Sequence, residues 1–413
     1  MGNLETFIHV AVAMIVVIIV ARLMGNAMAY IKQPRVVGEM IAGVLLGPTL
    51  VGTLFPEWYA YLFTTTQPFI YALGNIGLSF YMFLVGMNLD LSIIEKKAKK
   101  QAYILSIIAT IVPFAMGCLC AYVFYDHLSL PSISLILFML FFGTAFSIMA
   151  FPMLARILEE KKLINSLLGS MALLSASIQD VVTWILLAFI IAIGSTGSSL
   201  NGFITLLGAI VFVFLINYLV KPLVLKMNVS IEKNASMSQN QFAIILILLL
   251  VSTVITDKIG LYSVFGGFIL GLSLPKTKIL QTEINTKLQD VMVVLLLPLF
   301  FAFSGLKTNF LVLCSSQLLV PCIVILFCAF ISKYGAVLFS MRLFGYSWRD
   351  SSAIAGLINA RGLMELIVAN IGLQYNIIDS NTFSILVLIA VVTTMSAMPI
   401  YNFSLKTSNL KID

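Results

Sequence analysis

The sequence predicts an all-α polytopic membrane protein of about thirteen transmembrane helices. Hydrophobic residues make up 61% of the 413 positions and charged residues only 10%, whereas soluble domains carry about 45–50% apolar and about 25% charged residues. Apolar runs recur from one end of the chain to the other, and they approach the roughly 20 residues that a helix needs to cross a bilayer. A soluble fold of this length could not bury such a surplus.

The apolar runs divide the chain into segments that we expect to cross the membrane. They are residues 7–31, 37–54, 69–89, 102–125, 133–156, 164–193, 202–227, 241–256, 259–274, 288–306, 317–344, 350–376 and 381–404. Segments eight and nine are short, and only Thr256, Asp257 and Lys258 separate them. We expect a single transmembrane domain over residues 1–413, without a soluble regulatory domain.

The distribution of basic residues supports this division. Loops after odd-numbered segments hold 19 Lys and Arg residues, whereas loops after even-numbered segments hold only Lys258 and Lys307. Because cytoplasmic loops carry the excess of basic residues, we expect the N-terminus outside and the C-terminus in the cytoplasm, with the chain in the inner membrane of a bacterial cell. The net charge of +7 therefore belongs to membrane-flanking loops and does not indicate nucleic-acid binding.

Two short motifs occur twice in the chain. Ala42–Gly47 is similar to Gly266–Gly271, and Leu84–Asp90 is similar to Phe303–Asn309. Both matches map segment n onto segment n+7, and the odd offset inverts the second copy in the membrane. Inverted repeats with two crossing broken helices are typical of secondary transporters, although glycine-rich motifs also serve plain helix packing. The predicted parts are repeat one over 1–193, a connector helix over 202–227 and repeat two over 241–404.

Two charged residues fall near the middle of long apolar segments. Asp180 lies in segment six and Lys333 in segment eleven. A charge in hydrocarbon costs about 2.5–3.5 kcal/mol on insertion scales, so such residues are functional candidates by default. A buried carboxylate tends to hold a proton and a nearby cation reverses that tendency; we therefore predict that a monovalent metal cation and a proton compete for Asp180. A static Asp180–Lys333 ion pair is the alternative, although a hydrophobic pair would pack at lower cost.

Segments five and twelve are candidates for broken helices. Segment five contains Pro152, which removes a backbone donor, and segment twelve carries Asn359, Arg361 and Glu365 in a weakly apolar middle. Unwound backbone there would offer carbonyl oxygens to a cation, and half-helix ends would present partial charges. A kinked but continuous helix is the alternative for each. Glu39, near the inner end of segment two, either lines an entrance or caps a helix start.

Motifs spread over nearly the whole chain point to one family. They are Gln33–Pro34 with Gly38–Glu39, Ala42–Pro48, Ala150–Leu158, Gln179–Asp180, Ser304–Asn309 and Arg361–Ile367. With these motifs the chain resembles the cation:proton antiporter-2 family, which includes plant cation/proton exchangers and bacterial Kef-type potassium systems. The resemblance implies a sodium/proton-antiporter-like fold, in which helices four to six and eleven to thirteen move against a panel that forms a homodimer. It also implies that Asp180 carries the ion and the proton, with Lys333 as its basic partner.

The chain departs from the family beside the expected site. Met149 stands where the family often has a Thr hydroxyl, and the residue before Asp180 is Gln179, where plant exchangers have Asn. Ser175, five residues before Asp180, lies to the side of that helix face, and we expect it to serve packing. With few side-chain oxygens the site would be loose, which favours potassium over sodium. Besides backbone carbonyls, the remaining candidate cation ligands are Ser177, Gln179, Ser147 and Thr144.

These features favour a monovalent cation:proton antiporter that works by alternating access. One alternative is a channel-like potassium efflux system, although the chain lacks a selectivity-filter motif. Another is an organic-anion symporter, which the carboxylate of Asp180 disfavours. An enzyme is not expected because no nucleophile or metalloprotease motif occurs, and no cofactor is predicted. The choice between sodium and potassium, the stoichiometry and any regulator stay open at this level.

Overall fold

Helices account for the regular structure in this computed structural model of the protein. The structure describes residues 3–88, 96–151, 154, 158, 167–196, 199–259, 263–315 and 317–405. No strand occurs within these ranges, in agreement with the all-α prediction.

We number the longer helical segments of the described ranges α1 to α13; short helical turns also occur at Val51–Leu54, Pro56–Tyr59, Ala60–Thr64, Tyr125–Leu128 and Phe310–Leu313. The first six are α1 (Asn3–Tyr30), α2 (Arg35–Leu46), α3 (Gln67–Asn88), α4 (Lys96–Val123), α5 (Leu135–Ser147) and α6 (Leu167–Thr196). The seventh, α7, runs through Ser199–Leu215, the π-helical Ile216–Val220 and Lys221–Asn234. The next are α8 (Gln239–Ile259), α9 (Ser263–Ser273) and α10, which comprises Lys278–Val291, the π-helical Met292–Leu296 and Leu297–Leu306. The last are α11 (Leu319–Leu343), the half-helices α12a (Trp348–Ile358) and α12b (Gly362–Gln374), and α13 (Ser380–Leu405).

The membrane-spanning character follows from length and composition. Within the described ranges, 11 helical stretches are long and apolar enough to cross a membrane. The other two segments, α5 and α9, are apolar but only 13 and 11 residues long. All thirteen predicted segments are thus present as helices, while the count of thirteen crossings stays a prediction.

Two predicted segments are interrupted. Segment two was predicted to continue to residue 54, and the stretch Arg35–Leu54 is long and apolar enough to cross a membrane. Within it, α2 ends at Leu46, Gly47 is extended, with φ −80° and ψ −168°, and a short helical turn follows at Val51–Leu54. The residue after Gly47 is Pro48, which disfavours helical backbone in the residue before it. Segment five was predicted to run to residue 156 as a candidate broken helix: α5 ends at Ser147, residues 148–150 are not helical, and the described residues Phe151, Leu154 and Leu158 are helical again.

The helices pack in two groups joined by α7. Helices α1, α2, α3, α8, α9 and α10 contact one another and form a panel. Helices α4, α5, α6, α11, α12 and α13 contact one another and form a bundle, the same six that the family resemblance assigns to a moving core. The connector α7 packs against α6 of the bundle and α8 of the panel.

Glycines bring the panel helices into backbone contact. A Cβ atom on Gly47 of the α2 end would lie 2.1 Å from the carbonyl oxygen of Gly305 in α10. On the other side of the panel, a Cβ atom on Gly271 of α9 would lie 2.1 Å from the carbonyl oxygen of Phe83 in α3. The α2–α10 and α9–α3 crossings exchange when segment n is mapped onto n+7, which is the pattern that the predicted repeat requires. The repeat boundaries themselves stay a prediction.

Candidate functional site

The site is built around two breaks that touch each other. The backbone after α5 is extended at Ile148, with φ −61° and ψ 147°. The backbone between α12a and α12b is unwound over residues 359–361 and resumes at Gly362 with a left-handed φ of +48°, a conformation that glycine adopts at little cost. The amide N–H of Ala150 donates to the carbonyl oxygen of Ala360 over 3.4 Å. Both segments predicted as broken are therefore broken; Pro152 lies outside the described residues.

Lys333 fills the end of the α5 half-helix. Its side chain is fully buried, and the ammonium Nζ donates to the carbonyl oxygen of Ser147 over 2.7 Å and to that of Ile148. The last carbonyls of a helix have no partner within it, and they carry the negative end of the helix dipole. A buried cation at this position therefore satisfies the oxygens that the break exposes.

Arg361 ties the second break to two other helices. Its guanidinium donates to the carbonyl oxygens of Ala145 in α5, over 3.2 Å, and of Ala329 in α11, over 2.7 Å. The same group lies 3.6 Å from the carboxylate of Glu365, one turn into α12b, and both side chains are fully buried. The predicted pathway residues Arg361 and Glu365 thus form a buried ion pair, and its guanidinium links α12 to α5 and α11.

Thr394 was not anticipated from the sequence. Its Oγ1, fully buried in α13, accepts a 3.0 Å hydrogen bond from the amide N–H of Gly362. The bond satisfies one of the free N–H groups at the start of α12b. The sequence signal was a pair of adjacent threonines, Thr393 and Thr394, that follows the apolar run 385–392.

Asp180 lies in α6 with its carboxylate fully buried. Within the described part of the chain neither of its oxygens has a hydrogen-bond partner. The charge of Lys333 acts on Asp180 electrostatically, but the ammonium donates hydrogen bonds to the carbonyl oxygens of Ser147 and Ile148. The structure therefore does not form the static, hydrogen-bonded Asp180–Lys333 pair that was the alternative reading.

The other predicted ligands keep free oxygen lone pairs. The hydroxyls of Ser177, Ser147 and Thr144 each donate to a carbonyl of their own helix, over 2.8 to 2.9 Å. A hydroxyl that donates its proton in this way still has lone pairs for a cation. The Oε1 atom of Gln179 is buried and has no partner among the described residues. These observations are compatible with the predicted ligand roles without assigning them.

Several other buried groups in this region also have no hydrogen-bond partner within the described ranges. They are the Oγ1 of Thr183, one turn after Asp180 on α6, both amide atoms of Asn359 and the Nε of Arg361 in the second break, and both carboxylate oxygens of Glu365, which lie near the Arg361 guanidinium without a hydrogen bond to it. Thr183 was missed because a hydroxyl in an apolar helix usually serves packing. Glu39, by contrast, is buried in α2 of the panel, so its predicted role at an entrance stays a prediction.

Comparison with known proteins agrees with this architecture. Residues 11–401 match the family model described as "Sodium/hydrogen exchanger, transmembrane". The chain belongs to this sodium/hydrogen exchanger family. The chain is similar to the Na⁺/H⁺ antiporter NhaS4 of Synechocystis sp., with 39% identity over 399 residues that cover 96% of the chain and 97% of NhaS4.

More distant relatives of this family member are longer proteins. Cation/H⁺ antiporter 19 of Arabidopsis thaliana is 34% identical over 94% of the chain and 48% of its own length. K⁺/H⁺ antiporter 1 of Saccharomyces cerevisiae is 29% identical over 93% of the chain and 45% of its own length. The chain therefore spans about half the length of these two relatives.

A solved structure confirms the fold. The sodium proton antiporter MjNhaP1 from Methanocaldococcus jannaschii superposes with a TM-score of 0.70 over 97% of the chain and 99% of its own, at 15% identity. At this identity the likeness concerns the fold alone, and it bears out the predicted sodium/proton-antiporter-like architecture.

Proposed function

We propose that this family member exchanges a monovalent cation for protons by alternating access, with cation and proton competing for Asp180. The observation that carries the proposal is the buried carboxylate whose two oxygens have no partner among the described residues. A buried acceptor without a donor costs free energy, and either a bound proton or a bound cation removes that cost. The position of Asp180 in the bundle that holds both breaks supports the same assignment.

Lys333 is proposed to hold the deprotonated carrier ready. A cation near a carboxylate favours its ionised form, and Lys333 acts on Asp180 electrostatically. Because the ammonium is anchored to the Ser147 and Ile148 carbonyls, its charge stays at the break while the occupant of Asp180 changes. In this arrangement an incoming cation competes with the field of Lys333 for Asp180.

Exchange of one cation for one proton follows from the same charges. Asp180 is the one carboxylate at the proposed carrier position, and we propose that Lys333, held by the Ser147 and Ile148 carbonyls, does not exchange its proton during the cycle. We propose that each crossing moves one positive charge, so that a full cycle is electroneutral. Transport rates measured in proteoliposomes under a clamped membrane potential test this point, and rates that follow the potential contradict it.

Both sodium and potassium are reasonable substrates. The relatives include proteins named as Na⁺/H⁺ and as K⁺/H⁺ antiporters. Met149 offers no hydroxyl, and a site with fewer side-chain oxygens suits the larger ion, so we propose potassium as the preferred cation. We further propose a homodimer in a bacterial inner membrane, with the N-terminus outside; a Lys or Arg excess in cytoplasmic loops supports this orientation.

Proton flux in proteoliposomes, with the cation and pH gradients varied separately, tests the proposed function. Asp180→Asn should abolish cation-dependent proton movement without unfolding the protein. Asp290→Asn is the matched control, because Asp290 is exposed and far from the breaks along the chain; it should exchange like wild type. If Asp180→Asn retained exchange, Asp180 would not be the carrier. If proton flux did not depend on the cation gradient, the protein would not be an antiporter.

A further inference from the structure

The side chain of Gln179 is held by three contacts on one atom. Its Nε2 donates to the Ser175 carbonyl oxygen over 3.3 Å, to the Ser175 Oγ over 3.1 Å and to the Met149 Sδ over 3.7 Å. A backbone carbonyl can only accept a hydrogen bond, so the amide atom beside it must be the nitrogen. The orientation of the amide is therefore fixed by chemistry, and the oxygen has to point the other way.

The oxygen that results is left without a donor. Gln179 is fully buried, and its Oε1 has no partner within the described ranges. An acceptor buried without a partner costs about 1–3 kcal/mol, so a fold that holds it there gains from a ligand that binds oxygen. Met149 lies in the unwound stretch after α5, and its contact with Nε2 places the amide of Gln179 beside that break.

Met149, which offers no hydroxyl to a cation, therefore has another role: its Sδ accepts the Gln179 amide N–H. A thioether is a weak acceptor and offers a cation little, but it can receive an amide N–H. Ser175 likewise changes from a packing residue, as predicted from its place on the helix, to an acceptor for Gln179. Both residues contact the nitrogen and leave the oxygen free.

We propose that Ser175 and Met149 are positioning residues that fix the Gln179 amide so that its Oε1 serves as a cation ligand at the α5 break. This proposal rests on the proposed function, and it extends it to the determinants of cation affinity and preference. A fixed oxygen fits one ionic radius better than another, whereas a mobile amide adapts to both. Loosening the amide should therefore weaken cation binding and narrow the difference between potassium and sodium.

The test uses Ser175→Ala and Met149→Leu in the full chain, reconstituted in proteoliposomes. Each variant removes one acceptor of Nε2 and keeps the size of the side chain nearly constant. The apparent KM for potassium should rise about two- to tenfold, the range that one neutral hydrogen bond represents, while kcat stays unchanged. The ratio of the KM values for sodium and potassium should move towards one.

Two controls match these variants. Met171→Leu alters another buried methionine, located on α6, and Ser340→Ala alters a buried serine whose hydroxyl donates to the Ala336 carbonyl in its own helix. Both should keep the wild-type KM and ion preference. An equal rise of KM in the variants and their controls would identify a general packing effect and would overturn the proposal.

A mutant cycle shows whether the two residues act through Gln179. In a Gln179→Leu background, or in Gln179→Met if the first does not fold, adding Ser175→Ala or Met149→Leu should leave KM where the single Gln179 variant has it. A further rise in that background would overturn the positioning role. The test of this inference is separate from the test of the proposed function. If Ser175→Ala is active with the wild-type KM while Asp180→Asn is inactive, the positioning role is refuted and the proposed function stands.

Discussion

Replacing Thr394 by Val should loosen the start of α12b. The variant keeps the shape of the side chain and removes the oxygen that accepts the Gly362 N–H over 3.0 Å. A buried donor left without a partner costs about 1–3 kcal/mol, and this corresponds to a factor of about 5 to 150 in an equilibrium constant. Because the loss falls on the break itself, we expect a lower kcat for exchange and a lower unfolding temperature.

Thr393 provides the matched control for this prediction. It is as fully buried as Thr394, but its hydroxyl donates to the Ile389 and Ala390 carbonyls within α13, whereas Thr394 accepts the Gly362 N–H. Thr393→Val should lose little activity, and Thr394→Ser, which restores the acceptor, should recover kcat. Thermal unfolding in detergent and single-vesicle or ensemble flux measurements give both readouts. If Thr394→Val matched Thr393→Val in kcat, the bond to Gly362 would be irrelevant to the cycle.

Two other predictions concern basic residues. Lys333→Ala should shift the pH dependence of exchange or abolish it, and should lower thermal stability, because the buried Ser147 and Ile148 carbonyls lose their donor; wild-type stability would contradict the capping role. Burial lowers the pKa of Lys307, so the folded state binds fewer protons there and stability should rise with pH up to the unfolded value of about 10.4. Lys307→Met should flatten that rise in a melting series taken at alkaline pH up to about 10.4, and an unchanged slope would refute it.

The sequence was sufficient for the parts of the fold that hydropathy and charge control. Asp180 and Lys333 stood out because a charge in an apolar run has a large cost, and the breaks near residues 148 and 360 were marked by polar and helix-disfavouring residues. The ends of the helices were harder to predict from the sequence. Hydropathy does not register that Pro48 stops α2 or that the backbone after Ser147 hydrogen-bonds to a distant break.

The contacts that complete the site could not be read from one sequence. Lys333 and Ser147 are 186 residues apart, and no local pattern links them. Ser175 was assigned to packing by helix geometry, since residues five apart point in different directions. That argument addressed Asp180 and overlooked Gln179, whose long side chain reaches back to the residue four positions earlier.

The boundary between panel and bundle differs in kind from the contacts inside the panel. Glycine-mediated contacts such as Gly47 with Gly305 bring the backbones of the panel helices directly together. Across the boundary, hydrogen bonds are made by single side chains, including Asn370 to Ser304 over 2.6 Å and Tyr71 to Gln374 over 3.3 Å. Each such bond contributes about 0.5–1.5 kcal/mol net, and a few of them equal the few kcal/mol that separate two conformers of a working protein. Movement of the bundle against the panel would therefore break fewer close backbone contacts than movement within the panel, which supports the proposed alternating access at this boundary.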